Sequence, residues 1–412
     1  MTDVAATDVA ARAPAPAFRS LAVQGPVFLV AFGHGATHWI AATLYLLLPF
    51  IAETLKLSYV ETGAIVTSFH IGSTLANVPS GSLVDLTGRR VLFQVIALAV
   101  GGLALTGVGL TDRYVALCAF VFVIGATNML WHPAAISYLS LRLPANRGYA
   151  LSIHALGANV GDAVAPLVAG ALLLTLSWQV TAQLNGFVGV AAAIVLLACL
   201  ARADNGQAKA TVSPALGDYF RQLYAVLRRR EVWSLCLMAG FRTMMQNGLL
   251  MFLPLYLANE LGLNPFWMGA TMMMLQVGGI VAAPVAGIAS DRIGRRPVVL
   301  AGMMGTTVLV CALAVVPSAT AFVFCVSMLG FFMYAMRPVI HSWLMDRSPP
   351  ELSATLTGAM FGTQAALTTM TPLIGGWLAD HYGLASVFYF LAALVLVANA
   401  LAFAVPKTER GD

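Results

Sequence analysis

Charge is what this sequence has least of. Asp, Glu, Lys and Arg make up 9% of its 412 residues, against roughly 25% in soluble globular chains. Hydrophobic residues make up 59%, more apolar surface than a soluble fold of this length can cover. A cysteine framework is missing too. Cys118, Cys199, Cys236, Cys311 and Cys325 all fall inside apolar runs, without metal spacing or a disulfide pattern, and read as small packing residues. There is no Gly-rich phosphate loop ending in Lys-Ser/Thr, which argues against ATP drive. No Ser/His/Asp order stands out in a loop. Neither an enzyme nor a cofactor is expected. The first 18 residues have no apolar core, so they do not read as a signal peptide. Residues 1–20 read as a disordered cytoplasmic N-terminus.

Apolar runs are what the chain has in plenty. A bilayer-crossing helix needs about 20 apolar residues. Twelve candidates lie near 25–50, 59–80, 91–111, 114–139, 148–173, 180–201, 232–258, 266–287, 297–316, 319–344, 355–379 and 384–405. The shortest break is Thr111–Arg113. With the N-terminus inside, the inner segments hold eighteen basic residues, among them Arg12, Arg19, Arg202, Lys209, Arg347, Lys407 and Arg410, and the outer loops hold two, Lys56 and Arg113. That is a positive-inside pattern, and it fits an even number of spans with both termini cytoplasmic. The basic stretch from Arg221 to Arg230 reads as a linker lying on lipid headgroups, not as a nucleic-acid patch.

The two halves repeat at an offset near 206 residues. Gly81-Ser-Leu-Val-Asp85-Leu-Thr-Gly88-Arg89-Arg90 returns as Gly287-Ile-Ala-Ser-Asp291-Arg-Ile-Gly294-Arg295-Arg296. Pro144 returns as Pro350, Pro166 as Pro372 and Gly170 as Gly376, and His70 aligns with Gln276. The division expected is an N-terminal six-helix bundle over 21–202, a cytoplasmic linker over 203–230, a C-terminal bundle over 231–406 and a tail over 407–412. Two parallel six-helix repeats are an architecture of secondary transporters.

The twin G-x-L-x-D-x-x-G-R-R segments, each after the second span of a half, resemble the loop signature of major facilitator transporters. The resemblance implies an all-α membrane protein of twelve transmembrane helices in two pseudo-symmetric bundles. It also implies that Asp85, Arg89, Arg90, Asp291, Arg295 and Arg296 latch one conformation by pairing with helix ends or with one another; the plainer reading is a charged turn. A narrower stretch is similar to the fosmidomycin-resistance branch. It runs from Trp131-His132-Pro133 through Arg147-Gly148 and Gly157-Ala-Asn159-Val-Gly161 to Pro166. In that branch an acidic residue follows the His-Pro; here Ala134 does. Gly157, Gly161 and Pro166 also resemble the fifth-span motif of proton-driven exporters, where small residues permit close packing and pivoting. An ordinary small-residue contact is the alternative.

An ionisable side chain inside a bilayer costs about 2.5 kcal/mol or more. Nine stand in or near the spans: His34, His38, His70, His132, His154, Asp162, Arg242, Arg337 and His341. Together they point to an aqueous path. Arg242 and Arg337 offer forked donors suited to oxyanions, which favours an anionic or zwitterionic substrate. The competing reading has Asp162 neutralise one arginine. Asp162 is the only acid deep in a span and leads as the proton-coupling residue, with His132 sharing the role. His34 and His38, four apart, share a helix face. That spacing also serves metal sites, but no cysteine or carboxylate stands beside them in sequence, and no metal is expected. His34, His38, His70, Asn128, Asn159, Gln246, Gln276 and Tyr334 join the arginines as expected substrate contacts. Trp39, Trp131, Tyr45 and Tyr256 are candidate aromatic walls, with interface anchoring the alternative for the two tyrosines.

The expectation is a proton-coupled antiporter exporting a small organic compound by alternating access, monomeric, in a bacterial-type inner membrane. Its partners are that substrate, protons and lipids, with no nucleic acid. Uptake by symport is the alternative, and a non-transporting sensor or lipid scaffold is the alternative of another class.

Overall fold

The computed structural model describes residues 21–201, 217, 221, 224–225, 228–316, 318–346 and 353–405. The expected N-terminus, the tail and most of the linker lie outside the described residues, as does Pro350.

Among the described residues the chain is helical throughout. Twelve long helices follow in order: α1 (Leu21–Leu55), α2 (Tyr59–Thr87), α3 (Arg90–Val108), α4 (Tyr114–Arg142), α5 (Arg147–Leu172), α6 (Trp178–Leu200), α7 (Arg230–Asn259), α8 (Pro265–Ile293), α9 (Arg295–Leu313), α10 (Ala319–Asp346), α11 (Ser353–Tyr382) and α12 (Leu384–Ala404). A single 3-10 turn, Pro144–Asn146, joins α4 to α5. The short break expected at 111–113 falls between α3 and α4.

Nine of these helices are long and apolar enough to cross a membrane by length and composition; α2, α7 and α11 are not among them. The reason is their position. α2 packs on α4 and α11, while α7 packs on α11 and α12. Neighbouring protein in place of lipid tolerates Ser, Thr, Asn and Arg along them.

The helix starts repeat as the sequence does. Ser58 and Glu61 form a capping box at α2, with Ser58 Oγ accepting from Glu61 N and Glu61 Oε2 accepting from Ser58 N. At the start of α8, Asn264 Oδ1 accepts from Trp267 N at 3.0 Å. Each satisfies an orphan N–H of a first turn. The loop signature is less of a loop than its spacing suggests. Gly81 to Thr87 continues α2, and Gly287 to Ile293 continues α8. Gly88 (φ 67°) and Gly294 (φ 94°) take a positive φ, which glycine adopts without a Cβ clash, and Arg89 (φ -85°, ψ 63°) also leaves the helical region.

Two halves pack by one scheme. In the first, α1 meets α5 and α6, α2 meets α4, and α3 meets α4 and α6; the second repeats this with α7 to α12. The halves join through α2 with α11 and α5 with α8. A Cβ added to Gly63 would strike the Pro372 backbone, and one on Gly269 the Pro166 backbone. Gly376 meets Tyr59, and Gly170 meets Pro265. These four contacts are two pairs related by the 206-residue repeat.

All four lie towards the face opposite the arginine-rich turns. There the apolar core is continuous between halves, drawing Tyr45, Leu46, Leu48, Val66 and Ala169 into the core of the second. Asp380 at the end of α11 seals the rim. Its carboxylate accepts from Tyr59 N at 2.8 Å and Val60 N at 3.0 Å, a negative charge on the N-terminus of α2. Asn259 adds a bond to the Tyr59 hydroxyl at 3.2 Å. Towards the basic face the same four helices separate. A Cβ on Gly81, Gly148, Gly287 or Gly362 would meet nothing within 4 Å. The cleft between the halves is open at the basic face and shut at the other.

The Asp380 cap gives a first expected outcome. Asp380→Ala removes both bonds, and losing a helix cap costs about 1 kcal/mol, about a fivefold shift in a two-state equilibrium. Distances between spin labels on the two rims of the sealed face should lengthen in that variant. An unchanged distance distribution would remove Asp380 from the seal.

Candidate functional site

The site begins with glycines. A Cβ on Gly157 would fall on the backbone of Ala31, and one on Gly161 on the backbone of Gly35. α1 and α5 therefore touch main chain to main chain, as small residues allow. Gly157 and Gly161 thus pack inside the first half, whereas Pro166 meets α8 across the halves. Gly161→Ala should cost about 1–3 kcal/mol by overpacking, read as a lower Tm in detergent; an unchanged Tm would mean that the helices part without penalty.

This close approach sets the imidazoles of α1 against α5. His34 and His154 stack with ring centroids 3.7 Å apart. The Nδ1–H of His34 donates to the His154 carbonyl at 2.7 Å. One turn on, the Nδ1–H of His38 donates to Asp162 Oδ2 at 3.0 Å. α4 adds His132, whose ring centroid lies 5.2 Å from that of His34 and 6.3 Å from that of His38. Trp131 is fully buried, and its Nε1–H donates to His154 Nε2 at 3.2 Å. It is therefore a strut behind the cluster, not a wall of the cleft. Trp39 likewise ties α1 to α6, donating to Asn185 Oδ1 at 2.7 Å.

The second half supplies the arginines. Arg242 on α7 is 4% exposed, and its Nη2 donates to the Met333 carbonyl on α10 at 2.8 Å. Its Nε has no partner among the described residues. Arg337, one turn beyond Met333, is exposed in the cleft and makes no hydrogen bond or ion pair with a described residue. Its charge acts on Arg242 and, across the halves, on His132. The Asp162 charge reaches Tyr45 on its own half and Tyr334 on the other. Asp162 pairs with His38 and with neither arginine, so an Asp–Arg neutralisation is not what the fold builds.

The other expected contacts divide. Gln276 is buried beside Tyr334, and Asn128 and Gln246 are half-buried. Asn159 is exposed. Gln364 accepts from the Thr243 hydroxyl at 3.1 Å, joining α11 to α7. His70 stands apart, buried against Phe69, with no ring contact to the other four imidazoles among the described residues. A cavity of about 290 Å³ near the sealed face is lined by Pro49, Phe50, Glu53 and Met268 among others; it holds none of the groups above.

The latch residues stay within their halves. Arg295 pairs with Asp291 and, at 3.1 Å, with Asp346 of α10. Arg296 donates to the Phe403 carbonyl at 2.9 Å, and Arg90 to Ser137 Oγ at 3.2 Å. Asp85 and the Arg89 side chain pair with no described residue. None of these bonds crosses the open cleft, as expected of a gate drawn apart. Sequence reasoning gave His154 no role in the site and missed Asp380. His154 could have been found from its place three residues before Gly157, on the face that α1 must meet.

Known proteins resemble the chain over nearly its whole length. The probable nitrate/nitrite transporter NarK2 of Mycobacterium tuberculosis is 25% identical over 361 residues, covering 85% of this chain and 87% of that one. The hexuronate transporter of Bacillus subtilis (strain 168) is 23% identical over 410 residues, covering 92% and 93%. Among solved structures, a bacterial homolog of the human lysosomal transporter Spinster, inward-facing and unoccupied, matches with a TM-score of 0.78 at 16% identity, covering 94% of this chain and 97% of that one. The sequence profile described as Major Facilitator Superfamily matches residues 27–282 and again 268–412. Both halves are thus accounted for, and the chain belongs to the Major Facilitator Superfamily of membrane transporters.

Proposed function

We propose that this transporter exports a small anionic or zwitterionic organic compound in exchange for protons, by alternating access. One observation carries the proposal: the charge of Arg337 on the second half, with Arg242 beside it, acts on His132 of the first, and Asp162, bonded to His38, acts on Tyr334 of the second. Arginine forks bind carboxylate, phosphate and phosphonate groups through paired charged hydrogen bonds. The two named relatives are called transporters of nitrate or nitrite and of hexuronate, all anions, which supports the same substrate class here. Export is favoured by the likeness of the stretch from Trp131 to Pro166 to the resistance branch.

The basic face is assigned to the cytoplasm by its arginines, in a bacterial-type inner membrane with both chain ends on that side. Substrate then enters the open cleft from the cytoplasm and binds Arg337. The halves, 21–202 and 231–406, rock as bodies about the α2–α11 and α5–α8 seams. The Asp380 cap and the Pro–Gly contacts part, while Asp85 and Arg89 find partners across the closing inner face. Asp162, with His132 and His38 beside it, takes a proton from outside and gives it up inside, so the return stroke carries no substrate. Each chain holds a complete cleft, and the monomer is the working unit.

Ligand-induced stabilisation tests the substrate class. A ligand at 100 times its Kd adds about 2.7 kcal/mol, readily seen as a rise in Tm. Among carboxylates, phosphonates and neutral drugs, anions should stabilise the wild type, and Arg337→Ala should lose that gain. Equal stabilisation by neutral compounds in both proteins would contradict an anion site.

A further inference from the structure

His34, His38 and His132 each bring one ring nitrogen to within 4.8 Å of the other two. Two of the three are wired in a particular way. The Nδ1–H of His34 donates to a carbonyl oxygen and that of His38 to a carboxylate. Both bonds fix the tautomer, leaving each Nε2 as an unprotonated lone pair. A ring N–H held by a carbonyl or a carboxylate is how metal-ligating histidines are oriented. His34 is 5% exposed, and its Nε2 has no partner among the described residues. His132 makes no hydrogen bond with a described residue. The rings of His38 and His132 stand at 86° and 89° to that of His34, so they surround a point instead of stacking over one another. His38 and Asp162 are each 23% exposed by side chain, which leaves a way in from the cleft.

We infer that His34, His38 and His132 form a binding site for a divalent transition-metal ion of the zinc, cobalt, nickel and copper class. Imidazole favours these ions, whereas magnesium and calcium prefer oxygen ligands. A metal–nitrogen distance of about 2.1 Å in a tetrahedron places ligand nitrogens about 3.4 Å apart. Turning the imidazole side chains closes the remaining distance. Asp162 acts through His38, as a positioning residue. This inference departs from the metal-free expectation from sequence, because the third imidazole comes from α4 and the carboxylate from α5.

Three neutral ligands leave the ion its full double charge and an open position. Arg337, whose charge reaches His132, disfavours a bare dication there. An oxyanion bridging the ion and the arginine fork relieves both charges. Resting on the anion reading above, this narrows the substrate to an oxyanion that coordinates a transition metal.

The test is a Co2+ titration of the full-length protein in detergent, purified without a polyhistidine tag. The wild type should develop visible ligand-field bands saturating at a single ion per chain and displaced by Zn2+. His38→Gln and His132→Gln should lose the bands, while His70→Gln and His381→Gln keep them. No bands in the wild type, or bands that survive the His34→Gln/His132→Gln double change, would overturn the site. If a histidine variant does not fold, Cu2+ bound to the wild type decides instead: its electron-spin spectrum must show imidazole nitrogen couplings, and their absence overturns the site. Adding a carboxylate or phosphonate should shift the Co2+ bands, and Arg337→Ala should reduce that shift while the bands remain. Bands with no anion response anywhere would keep the metal site and sink the anion reading; an Arg337-dependent thermal shift without bands would do the reverse.

Discussion

Asp162→Asn is expected to bring proton-gradient-driven flux to the level of protein-free vesicles while substrate exchange without a gradient persists. The substitution is gentle in shape. The Oδ1 of Asn can still accept from the His38 Nδ1–H that now reaches Asp162 at 3.0 Å, so α1 and α5 keep their register. What disappears is the only carboxylate deep in a span among the described residues, together with its ability to take and release a proton. Groups facing it come from both halves: His38 and Tyr45 on α1, and Tyr334 on α10. A carboxylate placed where both halves contribute neighbours senses which way the cleft is open, as coupling requires. Counterflow of labelled substrate reads the exchange step, and flux under an imposed pH gradient reads the coupled step. Gradient-driven flux that survives in the variant would assign coupling elsewhere.

Arg337→Ala should weaken binding of an anionic substrate by about 30-fold or more, since truncating one partner of a hydrogen-bonded charge pair costs about 2–5 kcal/mol. A neutral analogue should lose no more than about fivefold. The contrast between the two arginines sharpens the expectation. Arg242 is buried and already donates to the Met333 carbonyl, so its loss should also lower stability. Arg337 is exposed in the cleft, and its fork is open to a ligand. Arg337→Lys should fall between, keeping the charge and losing the bidentate geometry. Direct binding measurements on an anion and its neutral analogue decide it; equal losses for the two would remove Arg337 from the anion site.

Much of the architecture was legible because it rests on one-dimensional quantities. Twelve apolar runs give twelve helices, since a buried backbone in a bilayer must bond to itself. The 206-residue offset was visible in Pro166 and Pro372, and in Gly170 and Gly376. These residues proved to be the seams between halves, where a Cβ would strike backbone. Other features were illegible because they depend on which helix faces which. The loop signature looked like a turn, yet all of it but Gly88, Arg89 and Gly294 is helix, because nothing between Gly81 and Thr87 breaks one.

The site was legible in its ingredients and not in its pairings. The ionisable groups in the spans were all visible in the sequence. An arginine partner for Asp162 was only the competing reading, and His132 was expected to share its coupling role; the residue bonded to Asp162 is His38, because Gly157 and Gly161 bring α1 against α5. The latch residues were expected to hold one conformation by pairing with helix ends or with one another. Arg295 pairs with Asp291 and Asp346 within one half, and at the opposite face Asp380 caps the N-terminus of α2. No local spacing announces a carboxylate that caps a helix 320 residues away.

Substrate-dependent proton movement in oriented proteoliposomes tests the central claim most directly. Vesicles loaded with an anion that raises the Tm are placed in an acidic medium, and lumenal pH is followed as substrate leaves. The account predicts lumenal acidification that requires the anion and vanishes in Asp162→Asn. Substrate efflux without acidification, or protons leaving together with the anion, would contradict it.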